Sequence, residues 1–261
     1  MALEPPGDCA RFALHRPEFL QPLLRGQEKI FALMRGNELE RNAGRSLIEG
    51  GSDHHYVYRL LRGWAGRARM LPDGRTQYIL IFLPNDLFGV KSLFVNRHVD
   101  SVRAISDIVV ERVHYETLYE AYRKDSDVAM RCTWQVIEEE RRLHSWVVGL
   151  GQGSAEERLA LLLLDFKGRL QAGGLVPANA ATYNMPLTQT QLADHLGITP
   201  VHMNRVLKEF RDNEIVTVRN GQVQIADLES LVQLAAPLLD IYERHNEAYV
   251  GNHPPGGGAP R

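Results

Sequence analysis

Cysteine is nearly absent. The chain has two among 261 residues, Cys9 and Cys132, far apart and in no CxxC pair, which excludes a disulfide framework and gives no thiol cluster for zinc or an iron-sulfur centre. Apolar runs are short, none approaching the roughly 18 residues of a membrane span. The opening MALEPPGDCARFALHRPEFL lacks the basic-then-apolar order of a secretory signal, so a cytoplasmic protein with no membrane partner is expected. Charge of one sign is missing too: 30 Lys and Arg against 32 Asp and Glu leave a net charge of -2, so any contact with nucleic acid must rest on a local element. No Ser-His-Asp, HExxH, Walker or GxGxxG pattern occurs. No catalytic residue, resident metal or cofactor is therefore expected. The length fits one or two domains, and 44% hydrophobic residues suffice for ordinary packed cores.

Residues 1–26 hold Pro5, Pro6, Gly7, Pro17 and Pro22 with little periodicity, and residues 236–261 end in GNHPPGGGAPR. The first reads as an extension, the second as a C-terminal helix followed by a flexible tail. Between Leu39 and His114 short β segments alternate with turn signals: Tyr56 to Leu61, Ala65 to Leu71, Gln77 to Leu83, Ser101 to Ile105 and Ile108 to Val113. Asp73-Gly74 between two of them marks a hairpin. Strands so spaced predict a small β-barrel or a roll of the cupin-like jelly-roll kind over residues 27–126.

Helical spacing then takes over. Ala129, Val136, Leu143 and Leu150 recur at heptad intervals, with Thr133, Glu140 and Val147 four residues after the first three, giving one mostly apolar stripe along a long helix at 127–150. The stripe fits either a core within one chain or a seam against an identical helix. Glu138-Glu139-Glu140 reads as a solvated face. Gly151 and Gly153 break the helix, and Ser154 with Glu157 forms a capping box ahead of Leu159 to Leu164, opening a new unit at 151–235.

The segment PLTQTQLADHLGITPVHMNRVLKEFRDNEIVTVRNGQVQIA, from Pro186 to Ala226, carries the functional signal. Thr188 caps a short helix, Gly197 supplies a tight turn, and Thr199-Pro200 opens a second helix. On it Val201, Val206, Leu207 and Phe210 can pack, while His202, Asn204, Arg205 and Lys208 face outward. Ile215 to Arg219, Asn220-Gly221 and Gln222 to Ile225 then form a two-stranded hairpin. Helix, glycine turn, second helix and wing is the winged helix-turn-helix plan, whose second helix enters the major groove of double-stranded DNA. The Arg205 guanidinium suits guanine O6 and N7. Thr188, Gln189 and Arg219 suit phosphates, and Thr199, His202, Asn204 and Lys208 complete the expected contact set. A buried helical pair without a DNA role would leave the polar tip and the wing unexplained.

The order of β-roll, long helix, SAEERLALLLL helix, LTQTQLADHLGITPVHMNRVLKEFR and wing resembles the Crp/Fnr family of bacterial transcription regulators, and YVYRLLRGWAGRARMLPDGRTQYILIFLPNDLFG resembles the family's strand, hairpin and GD-x-x-G arrangement. The resemblance spans Gly26 to Ala235. It implies an α+β fold of cyclic-nucleotide-binding-like sensor roll, dimerisation helix and winged helix-turn-helix. It also implies a homodimer on a two-fold operator and a contact with RNA polymerase. Ala129, Val136, Leu143, Val147 and Leu150 then become dimer-seam residues.

Departures from the family pattern bear on the effector. Cyclic AMP-binding members hold the ribose and phosphate with Gly-Glu-Leu and a following Arg-Ser or Arg-Thr. This chain has Gly89-Val90-Lys91-Ser92-Leu93, and the phosphate arginine falls near His98, with Arg97 and Arg103 the nearest substitutes. Cyclic AMP is not expected. Cys9 alone cannot hold an iron-sulfur cluster. His98 and His114 are isolated histidines, more often structural than haem ligands, and His54-His55 reads as a turn-and-surface pair rather than a metal site. The runner-up reading is a cupin-like enzyme or ligand-binding module with an incidental helical tail.

Overall fold

The computed structural model describes residues 16–239. The first helix, α1 (Leu20–Met34), buries Leu23, Gly26, Gln27, Ile30 and Met34 on one face. It crosses residue 26, where the sequence reading ended a non-periodic extension. Pro22 hid it, yet a proline in the first helical turn costs nothing because its missing N–H has no partner there in any case. Strands β1 (Glu38–Arg41), β2 (Ser46–Ile48), β3 (Tyr56–Arg62), β4 (Ala65–Met70), β5 (Thr76–Phe82), β6 (Leu87–Phe88), β7 (Ser101–Ala104) and β8 (Ile108–His114) follow. They form two antiparallel four-stranded sheets, in the orders β1-β8-β3-β6 and β2-β7-β4-β5. The β4–β5 hairpin turns at Gly74, whose φ of 87° a side chain would resist.

The inner faces of the two sheets bury Tyr58, Leu60, Leu80, Phe82, Phe88 and Val110 against one another. An aromatic column runs through this core: Phe82 stacks on Phe88 at 4.5 Å between centroids, Phe88 on Tyr58 at 5.5 Å, and Tyr58 on His54 at 5.4 Å. His54 is therefore buried, not a surface residue as the sequence reading had it; only His55 is exposed.

Helix α2 (Tyr115–Lys124) leads into α3 (Ser126–Gln152), capped by the Asp125 carboxylate, which accepts from the Asp127 and Val128 amides. Helix α1 lies so close to the start of α3 that a Cβ on Gly26 would sit 2.1 Å from the Asp127 carbonyl oxygen. Arg25 and Lys29 reach the Asp127 carboxylate at 2.9 and 3.1 Å. Helix α4 (Ala155–Ala172) begins with the Ser154–Glu157 capping box. Beyond it come β9 (Thr182–Asn184), α5 (Gln189–Leu196), α6 (Pro200–Asp212), β10 (Val216–Arg219), β11 (Gln222–Ile225) and α7 (Leu228–Ala235). Strand β9, unread in the sequence, adds to β11 as the third strand of the wing sheet. The expected helix and tail at 236–261 lie, from residue 240, outside the described residues, and residues 236–239 are not helical.

The outer face of the second roll sheet shares a core with the C-terminal unit. Trp64, Tyr78, Ile81 and Leu83 pack in one cluster with Leu159, Leu162, Phe166, Leu192 and Leu196. Trp64 meets the Phe166 ring edge-on at 4.9 Å.

Candidate nucleic-acid interface

Helix α5 starts at a capping box in which the Thr188 hydroxyl accepts from the Gln191 amide and the Gln191 side chain returns to the Thr188 N–H. It ends at Gly197, whose φ of 65° lies in the left-handed region, so the chain turns sharply into α6. Thr199 caps α6 through the His202 amide, with Pro200 in its first turn. Helix α6 buries Met203, Val206 and Phe210 and half-buries Leu207. Spacings of three and four place these on one side. Asn204, Arg205 and Lys208 are exposed on the other, and His202 is half-buried at the edge.

Val201 is a correction. The sequence reading let it pack inward, yet it is 80% exposed, among the most open apolar side chains described, and Met203 takes the core position. Two residues along a helix turn the side chain through about 200°, so the two cannot share a face.

The guanidinium of Arg205 is held only loosely, its Nε 3.8 Å from Glu209 Oε1 with both side chains open to solvent. An exposed pair of this kind is worth less than about 1 kcal/mol, so Arg205 is free to exchange it for a base. The wing turn has φ of 51° at Asn220 and 72° at Gly221, the two left-handed residues a tight hairpin demands, and it presents Arg219 to solvent. Thr188, Gln189 and Thr199 are likewise exposed.

Along α3 the expected seam residues divide. Val136, Val147 and Leu150 are 42%, 68% and 41% exposed, and Ile137 and Val148, outside the expected seam, are open as well. Ala129 is half-buried, and Leu143 packs against the roll core. Leu150 leans on the turn between α5 and α6, where a Cβ on Gly197 would come within 3.0 Å of it. The acidic run is not a solvated face. Glu139 is buried and accepts from Arg67 Nη1 of β4 at 2.8 Å, Glu138 is half-buried near Arg141, and only Glu140 is exposed.

A domain model described as the Crp-like helix-turn-helix domain matches residues 157–234, and one described as the cyclic nucleotide-binding domain matches residues 38–125. The chain belongs to the Crp/Fnr family of transcription regulators. It is 27% identical over 195 residues to the transcriptional activator protein FnrL of Cereibacter sphaeroides, covering 74% of this chain and 78% of that one. Identity to the nitrogen fixation regulation protein FixK of Bradyrhizobium diazoefficiens is 26% over 201 residues, or 77% and 83% of the two chains. Among solved structures, FixK2 from Bradyrhizobium japonicum superposes with a TM-score of 0.69 at 26% identity, over 76% of this chain and 96% of that one. This Crp/Fnr member is a DNA-binding transcription regulator, and the roll, long helix and winged helix-turn-helix are its fold. The incidental-tail reading is thereby set aside.

The turn that the sequence resemblance matches to the family's phosphate cassette is Val90–Leu93, entered through Gly89 at φ 81°. Val90 is buried among Ile30, Leu87 and Val113. The Ser92 hydroxyl lies 2.9 Å from His98 Nε2 and donates to the Tyr56 carbonyl at 3.3 Å. Of the two arginines nearest the expected phosphate position in sequence, Arg97 pairs with Asp53 at 2.8 Å on the surface, and Arg103 is half-buried on β7. Among the described residues no group of three or more His, Cys, Asp or Glu could hold a metal. No described helix is long and apolar enough to cross a membrane.

Burial also perturbs histidines. His195 on α5 is pushed down to about 4, chiefly by desolvation, against a raising bond to the Tyr78 carbonyl. His54 is likewise pushed down to about 4 by burial and by neighbouring His98. A base whose folded pKa lies below its unfolded 6.5 stays neutral in the folded chain while the unfolded chain takes up a proton. Stability from these groups is therefore full above about pH 6.5 and is lost as pH falls toward 4, by up to about 1.4 kcal/mol per pH unit for each histidine. Denaturant titrations at pH 7, 5.5 and 4.5 should show this decline; equal midpoints at all three would contradict it.

Proposed function

We propose that the protein is a homodimer joined along α3 that reads a two-fold symmetric DNA operator without cyclic AMP. The observation that carries this reading is the solvent-facing side of α6, where Val201, Asn204, Arg205 and Lys208 stand open above a fully packed opposite face. Arg205 donates two hydrogen bonds to a guanine, Asn204 and His202 serve neighbouring base edges, and the Val201 methyls touch a thymine methyl. Thr188, Gln189, Thr199, Lys208 and Arg219 bind phosphates and fix the register. Four acids, Asp194, Glu209, Asp212 and Glu214, offset Arg205, Lys208, Arg211 and Arg219 within the reading segment. Affinity then depends on two subunits binding together more than on charge. The open apolar stripe of Val136, Ile137, Val147 and Val148 is the surface the second subunit covers. Acting on DNA places the protein in the cytoplasm, and RNA polymerase is its further partner where it activates, as the name of FnrL suggests for that relative.

Three features support independence from cyclic AMP: Val90 where a ribose-binding glutamate would stand, Arg97 paired with Asp53, and Ser92 engaged with His98. Iron-sulfur and haem chemistry have equally little to hold them. Burial pushes the Cys132 thiol up to about 11, Cys9 lies outside the described residues, and His114 caps α2 through Glu116 N. Mobility-shift assays on genomic fragments at fixed salt should give a single dimer-sized complex whose affinity is the same with and without cyclic AMP. Calorimetric binding of cyclic AMP tighter than roughly 10 μM, about -7 kcal/mol, would overturn the effector part of the reading.

A further inference from the structure

The first helix of the helix-turn-helix is tied directly to the sensor roll. His195 on α5 is almost wholly buried, its Nδ1 2.9 Å from the Tyr78 carbonyl of β5. A carbonyl only accepts, so Nδ1 carries the proton. Gln77 Nε2 donates back to the His195 carbonyl at 3.1 Å, and Gln191 Nε2 reaches the Tyr78 hydroxyl at 3.4 Å. Trp146 of α3 sets its ring edge-on to the imidazole with 4.3 Å between centroids. One side chain of the reading unit thus touches both the roll and the long helix. A second tie runs from Arg169 of α4 to the Ile81 carbonyl at 3.0 Å and to the Asp86 carboxylate. Buried hydrogen bonds of this kind are costly to break singly, because the abandoned partner stays out of water.

Helix α6 is joined to α5 through the Gly197 turn and packs on it. Whatever fixes α5 to β5 and α3 therefore fixes the recognition helix relative to the dimer axis. The exposed face of α6 is untouched by these ties, so the latched form can dock on DNA. Resting on the dimer reading above, we propose that His195 is a positioning residue that sets the separation of the two recognition helices and so the spacer between half-sites that the regulator accepts. Half-sites one turn apart are about 34 Å from centre to centre, and each added base pair both lengthens that distance and rotates one site about the other. A stiff reader rejects the altered spacer, whereas one with loosened arms follows it.

The test uses the full-length protein on operators whose spacer is shortened or lengthened by one and two base pairs, together with a single half-site. Wild type should lose tenfold or more in affinity for each altered spacer. His195→Leu keeps the apolar volume but lacks the donor, and Gln77→Ala removes the return bond from a half-buried position. Both should flatten the profile to within about threefold while binding the single half-site as wild type does. His195→Asn, whose amide can donate from nearly the same place, should restore discrimination. The proposal is overturned if His195→Leu and Gln77→Ala keep the wild-type spacer ratios, or if they lose affinity equally for every spacer and for the half-site, which is the mark of a merely structural role. Should His195→Leu not fold, Gln77→Ala decides alone. A wild-type protein indifferent to spacer also overturns the proposal, whereas one that binds the single half-site as tightly as the whole operator would sink the dimer reading on which the proposal stands.

Discussion

Replacing Arg205 with alanine should weaken binding to the cognate operator by roughly 1 to 3 kcal/mol per half-site and abolish the preference for guanine at one position in each. The side chain stands exposed on α6, tethered only by a 3.8 Å contact to Glu209, so its removal leaves no buried partner orphaned and no cavity. The loss is then a loss of recognition, not of folding, and thermal melting should be unchanged. Arg219→Ala at the wing should weaken binding evenly across sequences and lower the salt slope, as expected for a phosphate contact. Measuring both variants on the operator and on a guanine-substituted copy separates the roles. If Arg205→Ala still discriminates the two DNAs as well as wild type, Arg205 is not the base reader.

The second large effect is on assembly. Aspartate at Val136 and Val147 together should yield monomers at micromolar concentration and lose operator binding, because burying two unpaired carboxylates costs far more than the apolar contacts return. Those two positions are the informative ones. Leu143, an equally good seam residue by heptad count, packs against the roll core, so aspartate there would damage the subunit itself and not its pairing. Sedimentation decides: a Val136→Asp, Val147→Asp protein that is folded and still dimeric would remove α3 as the joint.

The reading unit was legible because its signals are local. Caps at Thr188 and Thr199, the turn glycine Gly197 and the Asn220-Gly221 wing each fix the backbone within a few residues. The roll strands and their hairpin were legible for the same reason. What escaped depends on contacts distant in sequence. Helix α1 shows its pattern only when Ile30 and Met34 are known to pack with Val128 and Cys132 of α3 and with Val57 and Val113 of the roll. Strand β9 has three residues and exists by pairing with the wing. The burial of Glu139 follows from Arg67, 72 positions earlier in the chain. His195 looked like one polar residue among several on a short helix, and nothing in its own neighbourhood announces Tyr78, 117 residues away. Val201 is a different case: by residue type it can pack inward, whereas the match to the family's early base-reading glutamate puts it on the DNA side, and its phase sets it outward with Arg205 and Lys208.

The most direct measurement is a selection of the sequences that the full-length protein retains from random double-stranded DNA, at one stated salt concentration. An inverted repeat should emerge, with one invariant guanine in each half and the halves about one helical turn apart. Recovery of no motif, or of a lone asymmetric site bound by a single subunit, would contradict the account of a dimer reading DNA through α6.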